Sequence, residues 1–196
     1  MSITTLRGDD GATDLLYGHR VGKDHARIEA CGAVDELNAM LGVARTQVPA
    51  DSHWVGDIDR VQADLVGLMG QLAVVPADRD RYLRDGFPAI GGDDTERLTR
   101  MAAETEQRFL RPFRDWARPG GMGRPAAAFL DLTRTVCRRA ERRVAALQLK
   151  GGALEYPEVL KFLNRLSDLL WLWARELEED GLGHTAPPAA VAGAGE

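Results

Sequence analysis

Residues 134–143 read Arg134-Thr135-Val136-Cys137-Arg138-Arg139-Ala140-Glu141-Arg142-Arg143, five arginines and one glutamate in ten positions. A guanidinium is a planar fork of N–H donors that matches phosphate or carboxylate oxygens in pairs. Such a cluster can cradle an anion. It can also be a solvated helix face laced with i,i+4 pairs, the commoner outcome for a charged helix. Leu132, Val136, Ala140, Val144 and Leu147 recur three or four residues apart, so an amphipathic helix is expected. At roughly 100° per residue, Arg134, Arg138 and Glu141 share one face and the apolar set takes the opposite one. Arg143 falls inside the apolar arc, where a charge requires a partner or a ligand.

Other stretches carry chemistry-bearing residues. Near the start lies Thr4-Thr5-Leu6-Arg7-Gly8-Asp9-Asp10-Gly11-Ala12-Thr13. Glycines let backbone N–H groups converge and threonine hydroxyls add donors, a composition that can cradle phosphates but is more often a plain loop. A second charged loop, Arg20 to Glu29, contains Lys23, a point charge suited to a phosphate or to solvent. Asn164-Arg165-Leu166-Ser167-Asp168 sits mid-helix, where asparagine is costly. Trp116 precedes Pro119-Gly120-Gly121, a turn signal. His25 with Glu29 and His53 with Asp57 are i,i+4 pairs, but two groups do not make a metal site, and no zinc motif or Walker loop is present.

The elements that position these residues follow from periodicity. A first helix is expected from Gly32, with Val34, Leu37, Leu41 and Ala44 as its stripe and Asp35 and Asn38 beside it. A second runs from Trp54 to Ala73 on Ile58, Val61, Leu65, Leu68 and Leu72; Gly56, Gly67 and Gly70 weaken it in isolation, though small residues allow close helix packing. Residues 74–92, rich in proline and glycine, read as a loop. Asp94-Thr95-Glu96 offers a cap for a third helix, Thr95 to Leu110. The arginine helix runs from Pro125 to Leu149, and after a Gly151-Gly152 turn the last helix runs from Pro157 to Glu179. In that helix Val159, Leu163, Leu166, Leu170, Trp173 and Leu177 form the stripe, with Asn164, Asp168, Trp171 and Arg175 on the other side. No strand-like alternation is visible. The expected fold is all-α: a five-helix antiparallel bundle forming one domain over 1–180, with 1–31 as an N-terminal loop region and 181–196 as a disordered tail.

A net charge of −5 argues against a general nucleic-acid binder. No apolar run approaches membrane-spanning length and no signal peptide is visible, so no membrane association is expected. Cys31 and Cys137 are far apart without a CxxC pattern, which suggests reduced thiols in a cytoplasmic setting.

Taken together, the stretches resemble the PduO-type ATP:corrinoid adenosyltransferases. The resemblance rests on Gly8-Asp9-Asp10-Gly11-Ala12-Thr13; on Arg20 through Lys23, Arg27 and Glu29 to Val34-Asp35-Glu36-Leu37-Asn38; on Pro119-Gly120-Gly121 followed by Arg134 to Arg143; and on Glu158-Val159-Leu160 through Asn164 to Leu170. It implies a trimer with active sites between subunits. It also implies transfer of the 5′-deoxyadenosyl group of ATP, taken with Mg²⁺, to Co(I) of a reduced corrinoid, releasing triphosphate.

By the same resemblance Arg138, Asn164, Asp168 and Trp116 serve the chemistry, with Trp116 against the lower face of the corrin, where phenylalanine is expected. Thr5, Arg7, Gly8, Asp9, Gly11, Thr13, Lys23, Arg138, Glu141 and Asn164 would hold the nucleotide, which makes 1–31 a phosphate-binding region. Arg134 would pair with Asp35 of an adjacent subunit. No protein-bound metal is expected. Partners would be a corrinoid reductase and an adenosylcobalamin-dependent enzyme. Leu6, where the family has a basic residue, and Ala12, where a hydroxyl is absent, motivate a second reading: a non-catalytic adenosylcobalamin carrier or sensor.

Overall fold

A computed structural model describes residues 4, 6–109, 116–149 and 157–180. The elements are β1 (Ala12–Asp14), β2 (Arg20–Gly22), α1 (Ala26–Arg45), α2 (His53–Leu72), α3 (Arg79–Arg84), α4 (Gly92–Arg108), α5 (Pro125–Leu149) and α6 (Pro157–Asp180). Thr5, Leu110, the Gly151-Gly152 turn and the tail fall outside the described residues.

The apolar stripes read from the sequence are the core. Val34, Leu37, Leu41 and Ala44 of α1 are fully buried, as are Ile58, Val61, Leu65, Leu68 and Leu72 of α2. Each buried leucine contributes about 2 kcal/mol relative to exposure. Helix α5 packs between α1 and α6, while α2 covers α1 and α4 covers α6. Side-chain pairs set the directions. Arg45 meets Asp59 and Arg27 meets the Leu72 carbonyl, so α1 and α2 are antiparallel. Thr133 to Met40 and Arg143 to Glu29 make α1 and α5 antiparallel; Cys137 to Leu163 and Arg175 to Asp131 do the same for α5 and α6. The exception is α4, which runs parallel to α6: Thr95 meets Glu158 and Arg108 meets Glu176.

Several details differ from the sequence reading. Helix α1 begins at Ala26 rather than Gly32, because His25 caps it: the His25 ring Nδ1 accepts the Arg27 N–H at 3.2 Å. His25 is therefore a cap and not a partner of Glu29. Helix α4 begins at Gly92, and Asp94 acts from inside the first turn, accepting the Gly91 N–H at 3.1 Å. The N-terminal region holds a two-stranded antiparallel hairpin, Ala12 opposite Gly22 and Asp14 opposite Arg20, whose three-residue strands are too short to show alternation. Residues 74–92 contain a 3₁₀ turn (Pro76–Asp78) and α3 rather than only loop.

That last segment is a dock. The Leu16 N–H donates to the Ala73 carbonyl at 3.0 Å, Tyr17 hydroxyl to Asp85 at 2.8 Å, and the His19 ring meets Asp78 at 2.5 Å. Tyr17 itself takes a left-handed φ of +63°, unusual for an aromatic residue, and Arg81 lies over its ring at 4.0 Å. The dock in turn sits on α2 through two glycines. A Cβ at Gly67 would come within 2.9 Å of Pro88, and one at Gly70 within 2.5 Å of the Tyr82 hydroxyl.

A buried ion pair joins α5 to α6. Arg175 donates to Asp131 at 2.5 Å and pairs with Glu178 at 2.9 Å, with Arg175 and Asp131 almost fully buried. Arg175 therefore does not share the open face of Asn164 and Asp168, as helical spacing alone suggested.

The Gly70 contact yields a signed prediction. Alanine in a helix interior gains about 1 kcal/mol over glycine, whereas forcing a methyl against a packed hydroxyl costs about 1–3 kcal/mol. Gly70→Ala is expected to lower the urea midpoint of the wild type and to raise it in a Tyr82→Phe background. The same shift in both backgrounds would refute this contact.

Candidate functional site

Four arginines and a glutamate of α5 divide by direction. Arg139 and Arg143 turn towards α1, where Arg139 pairs with Glu36 and Arg143 with Glu29 at 3.0 Å. Arg143 is exposed rather than inside the apolar arc, and Glu29 is the partner the sequence left unassigned. Leu132, expected in the apolar stripe, is likewise exposed. On the opposite edge, Glu141 accepts the Asn164 amide at 3.3 Å across the α5–α6 seam. Between these edges Arg138 and Arg142 point outward, and neither forms an ion pair among the described residues. Arg134, one turn before Arg138, lies 3.8 Å from Asp131 of its own helix, and its buried Nε has no hydrogen-bond partner. Asp35 on α1 is exposed and has no ion pair among the described residues.

Two clefts flank this region. One, of about 400 Å³, is lined by Lys23, Glu29, Gly32, Glu36, Arg139 and Arg143. The other, of about 370 Å³, lies between α4 and α6, lined by Thr99, Ala103, Glu106, Arg165, Asp168 and Trp171. Asp168 pairs with Arg165 at 3.3 Å, and Arg165 donates to Thr99 at 3.2 Å. The α5–α6 surface thus brings Arg138, Glu141, Asn164 and Asp168 to neighbouring turns.

The N-terminal hairpin brings the glycine loop to Lys23. A Cβ at Gly8 would lie 3.1 Å from the Lys23 Nζ, so the ammonium rests against the loop backbone. The Lys23 N–H donates to the Gly11 carbonyl at 2.9 Å, and Gly11 has φ of +80°, a conformation glycine adopts without strain. Asp9 is exposed on the turn, Thr13 pairs with Val21 in the hairpin, and Arg7 forms an exposed ion pair with Asp14 at 3.0 Å. Trp116 is 82% exposed, just before the turn closed by the Gly121 N–H donating to the Arg118 carbonyl at 2.9 Å.

Sequence reasoning missed Arg20 as well as the roles of Glu29 and Glu36. Arg20 binds the Arg7 carbonyl and both oxygens of Asp10, and its guanidinium holds the Asp10 carboxyl below its usual pKa. The available signal was the spacing of Asp10 and Asp14 opposite a basic residue, readable only once a hairpin is assumed.

Residues 3–177 match the cobalamin adenosyltransferase family. A cobalamin adenosyltransferase of Cupriavidus metallidurans is 36% identical over 181 residues, 92% of this chain and 90% of that protein. A corrinoid adenosyltransferase of Bacillus subtilis is 33% identical over 187 residues, 93% and 90% of the two chains. Among solved structures, a variant PduO-type ATP:corrinoid adenosyltransferase from Lactobacillus reuteri, complexed with cobalamin and ATP, superposes with a TM-score of 0.78 at 30% identity. That match covers 91% of this chain and 96% of the other.

Burial keeps both thiols, Cys31 on α1 and Cys137 on α5, from ionising readily in the folded state. Cys137 is fully buried and donates to the Leu163 carbonyl at 3.3 Å, and burial pushes its pKa far up. Burial pushes Cys31 up to about 11. At pH 8 such a group is thiolate for only about one part in a thousand, so nucleophilic reactivity is suppressed. Iodoacetamide is expected to label neither cysteine in the native protein and both in urea; rapid native labelling of Cys137 would contradict the packing.

Proposed function

The chain belongs to the cobalamin adenosyltransferase family, and we propose that the outward stripe of α5 and the adjoining turn of α6 form its nucleotide-reacting surface. The enzyme transfers the adenosyl group of ATP to a corrinoid, as its relatives are named to do. All of those relatives are named as transferases, which does not favour a carrier. The single observation that carries the siting is the charge allocation on α5: Arg139 and Arg143 are held by carboxylates of α1, while Arg138, beside Glu141 and Asn164, has no ion pair among the described residues.

The chemistry requires little from the protein beyond placement and charge. In the reduced corrinoid substrate, Co(I) is itself the nucleophile. Its electron pair forms the Co–C5′ bond, the C5′–O bond breaks, and that bonding pair leaves on the triphosphate, so cobalt ends formally as Co(III). Rate then depends on holding C5′ against cobalt and on stabilising charge on the departing triphosphate. Arg138 would bind that triphosphate as a fork, Lys23 as a point charge, and the loop from Gly8 to Thr13, with Thr5 and Arg7, would wrap it. Glu141 would orient the Asn164 amide, and the pair would hold the nucleoside end. Mg²⁺ would arrive with ATP as part of the substrate; among the described residues no three acidic, histidine or cysteine groups converge on a cation position.

Asp168 and Trp171, on the wall of the cleft between α4 and α6, would face the corrinoid. Trp116 would press on the lower face of the corrin and exclude an axial ligand, which eases reduction to Co(I). Its exposure supports this reading, since an indole left in water next to a turn has apolar surface to offer a ligand. A trimer with sites between subunits would cover the exposed Leu132 and bring Asp35 of one subunit, which has no ion pair among the described residues, to the partly orphaned Arg134 of the next. The free thiols Cys31 and Cys137 support a cytoplasmic setting, where a reductase and an adenosylcobalamin-dependent enzyme would act before and after it.

The test is anaerobic: Co(I) corrinoid and ATP are mixed with protein, and the absorbance change of Co–C bond formation is followed together with triphosphate release. Equal amounts of adenosylated corrinoid and triphosphate are expected. Trp116→Ala should lower the rate at least about tenfold, roughly 1.4 kcal/mol of barrier, with ATP affinity unchanged. Absence of both products at high protein concentration would overturn the proposal.

A further inference from the structure

The guanidinium of Arg20 makes four hydrogen bonds to residues 7–14. Its Nη2 donates to the Arg7 carbonyl at 2.7 Å and to the two Asp10 carboxylate oxygens at 2.8 and 2.9 Å. Its Nη1 reaches Asp14 at 3.4 Å. Asp10 Oδ1 also accepts the Ala12 N–H at 3.1 Å, so the carboxylate that takes Arg20 also shapes the turn. Beyond that turn, the Gly11 N–H donates to the Gly8 carbonyl at 3.2 Å and the Lys23 N–H to the Gly11 carbonyl at 2.9 Å. These bonds run from Arg20 through the glycine loop to Lys23, whose ammonium rests against Gly8.

Charge separates the two cations. Arg20 is compensated by Asp10 and Asp14, whereas Lys23 has no ion pair among the described residues. A compensated guanidinium has little attraction left for a triphosphate, but it can fix the loop that does have it. We infer that Arg20 is a positioning residue: it staples residues 7–14 onto β2, so that this loop and the Lys23 ammonium present one preformed cradle to the ATP triphosphate. A guanidinium suits the task, because only a fork can bind a carbonyl, a bidentate carboxylate and a second carboxylate at once. The inference rests on the proposed nucleotide site.

ATP is titrated calorimetrically into the full-length wild type, Arg20→Ala, Arg20→Lys, Asp10→Ala and the Arg20→Ala/Asp10→Ala double variant, with steady-state kinetics alongside. Arg20→Ala is expected to raise the Kd and KM for ATP about tenfold, through loss of preorganisation, with kcat at saturating ATP within about twofold. Arg20→Lys should recover part of the affinity. The double variant separates positioning from direct contact. If Arg20 acts through Asp10, its removal costs less once Asp10 is gone. An equal or larger cost in the Asp10→Ala background would mean that Arg20 touches ATP itself and would overturn the inference. So would Arg20→Ala protein with wild-type ATP affinity. Circular dichroism keeps the reading clean, since the hairpin lies outside the helical core, and Arg20→Lys remains if the alanine variant does not fold. Wild-type protein that binds no ATP would overturn the nucleotide site, a failure distinct from that of Arg20.

Discussion

Helix α5 is packed on two sides, against α1 and against α6. A helix held this way can present only one stripe outward, and the edges of its buried arc must meet the neighbouring helices. Every charged residue of α5 is therefore assigned a direction by geometry before any chemistry is considered. Arg139 and Arg143 lie at the α1 edge and find Glu36 and Glu29; Glu141 lies at the α6 edge and finds Asn164. The exposed arginine–carboxylate pairs contribute about 0–1 kcal/mol each, so they do little to hold the bundle together. Their consequence is allocation: in an arginine-rich segment of an acidic protein, they leave Arg138 and Arg142 without an ion pair among the described residues, on a surface edged by an amide and carboxylates.

The same logic operates at the N-terminal hairpin. Contacts of Leu16, Tyr17 and His19, between β1 and β2, tie the hairpin to residues 73–85, and Gly67 and Gly70 let residues 82–88 lie close against α2. The hairpin has almost no core of its own; Leu15 is the only side chain of residues 12–22 that is buried. Its shape depends on polar contacts, above all on Arg20. A loop held by polar contacts can be ordered enough to bind an anion at low entropic cost and still adjust when a triphosphate arrives. The bundle supplies the rigid arginine stripe and the hairpin supplies the adaptable cradle.

The long helices were legible in the sequence because each carries enough turns for a stripe to be seen. The onsets of α5 at Pro125 and of α6 at Pro157 are where the prolines indicate. The early start of α1 was hidden, since it depends on a histidine acting as a cap, and α3 was hidden in six residues bracketed by proline and glycine. Arg143 and Leu132 were assigned to the wrong side because an angular plot on one helix does not reveal where its neighbours end. Arg175 was misread for the converse reason: a charge is expected outside, yet Asp131 and Glu178 permit it inside. For the site, residue types in order along the chain sufficed to resemble a family. What the sequence did not contain was the pairing of arginines with Glu29 and Glu36, or Arg20 with Asp10, which join positions on different elements.

Arg138 and Arg142 are one turn apart on α5, both exposed and both unpaired among the described residues, and they differ in proximity to the Glu141–Asn164 seam. Comparing them tests the siting most directly. ATP affinity is measured by calorimetry for the wild type, Arg138→Ala and Arg142→Ala, at one ionic strength. Loss of a fork on the triphosphate should weaken ATP about a hundredfold at Arg138, roughly 2.7 kcal/mol, and leave Arg142→Ala within about twofold of the wild type. Equal losses at the two positions would mean that the stripe acts only as diffuse positive charge, and unchanged affinity in Arg138→Ala would contradict the site.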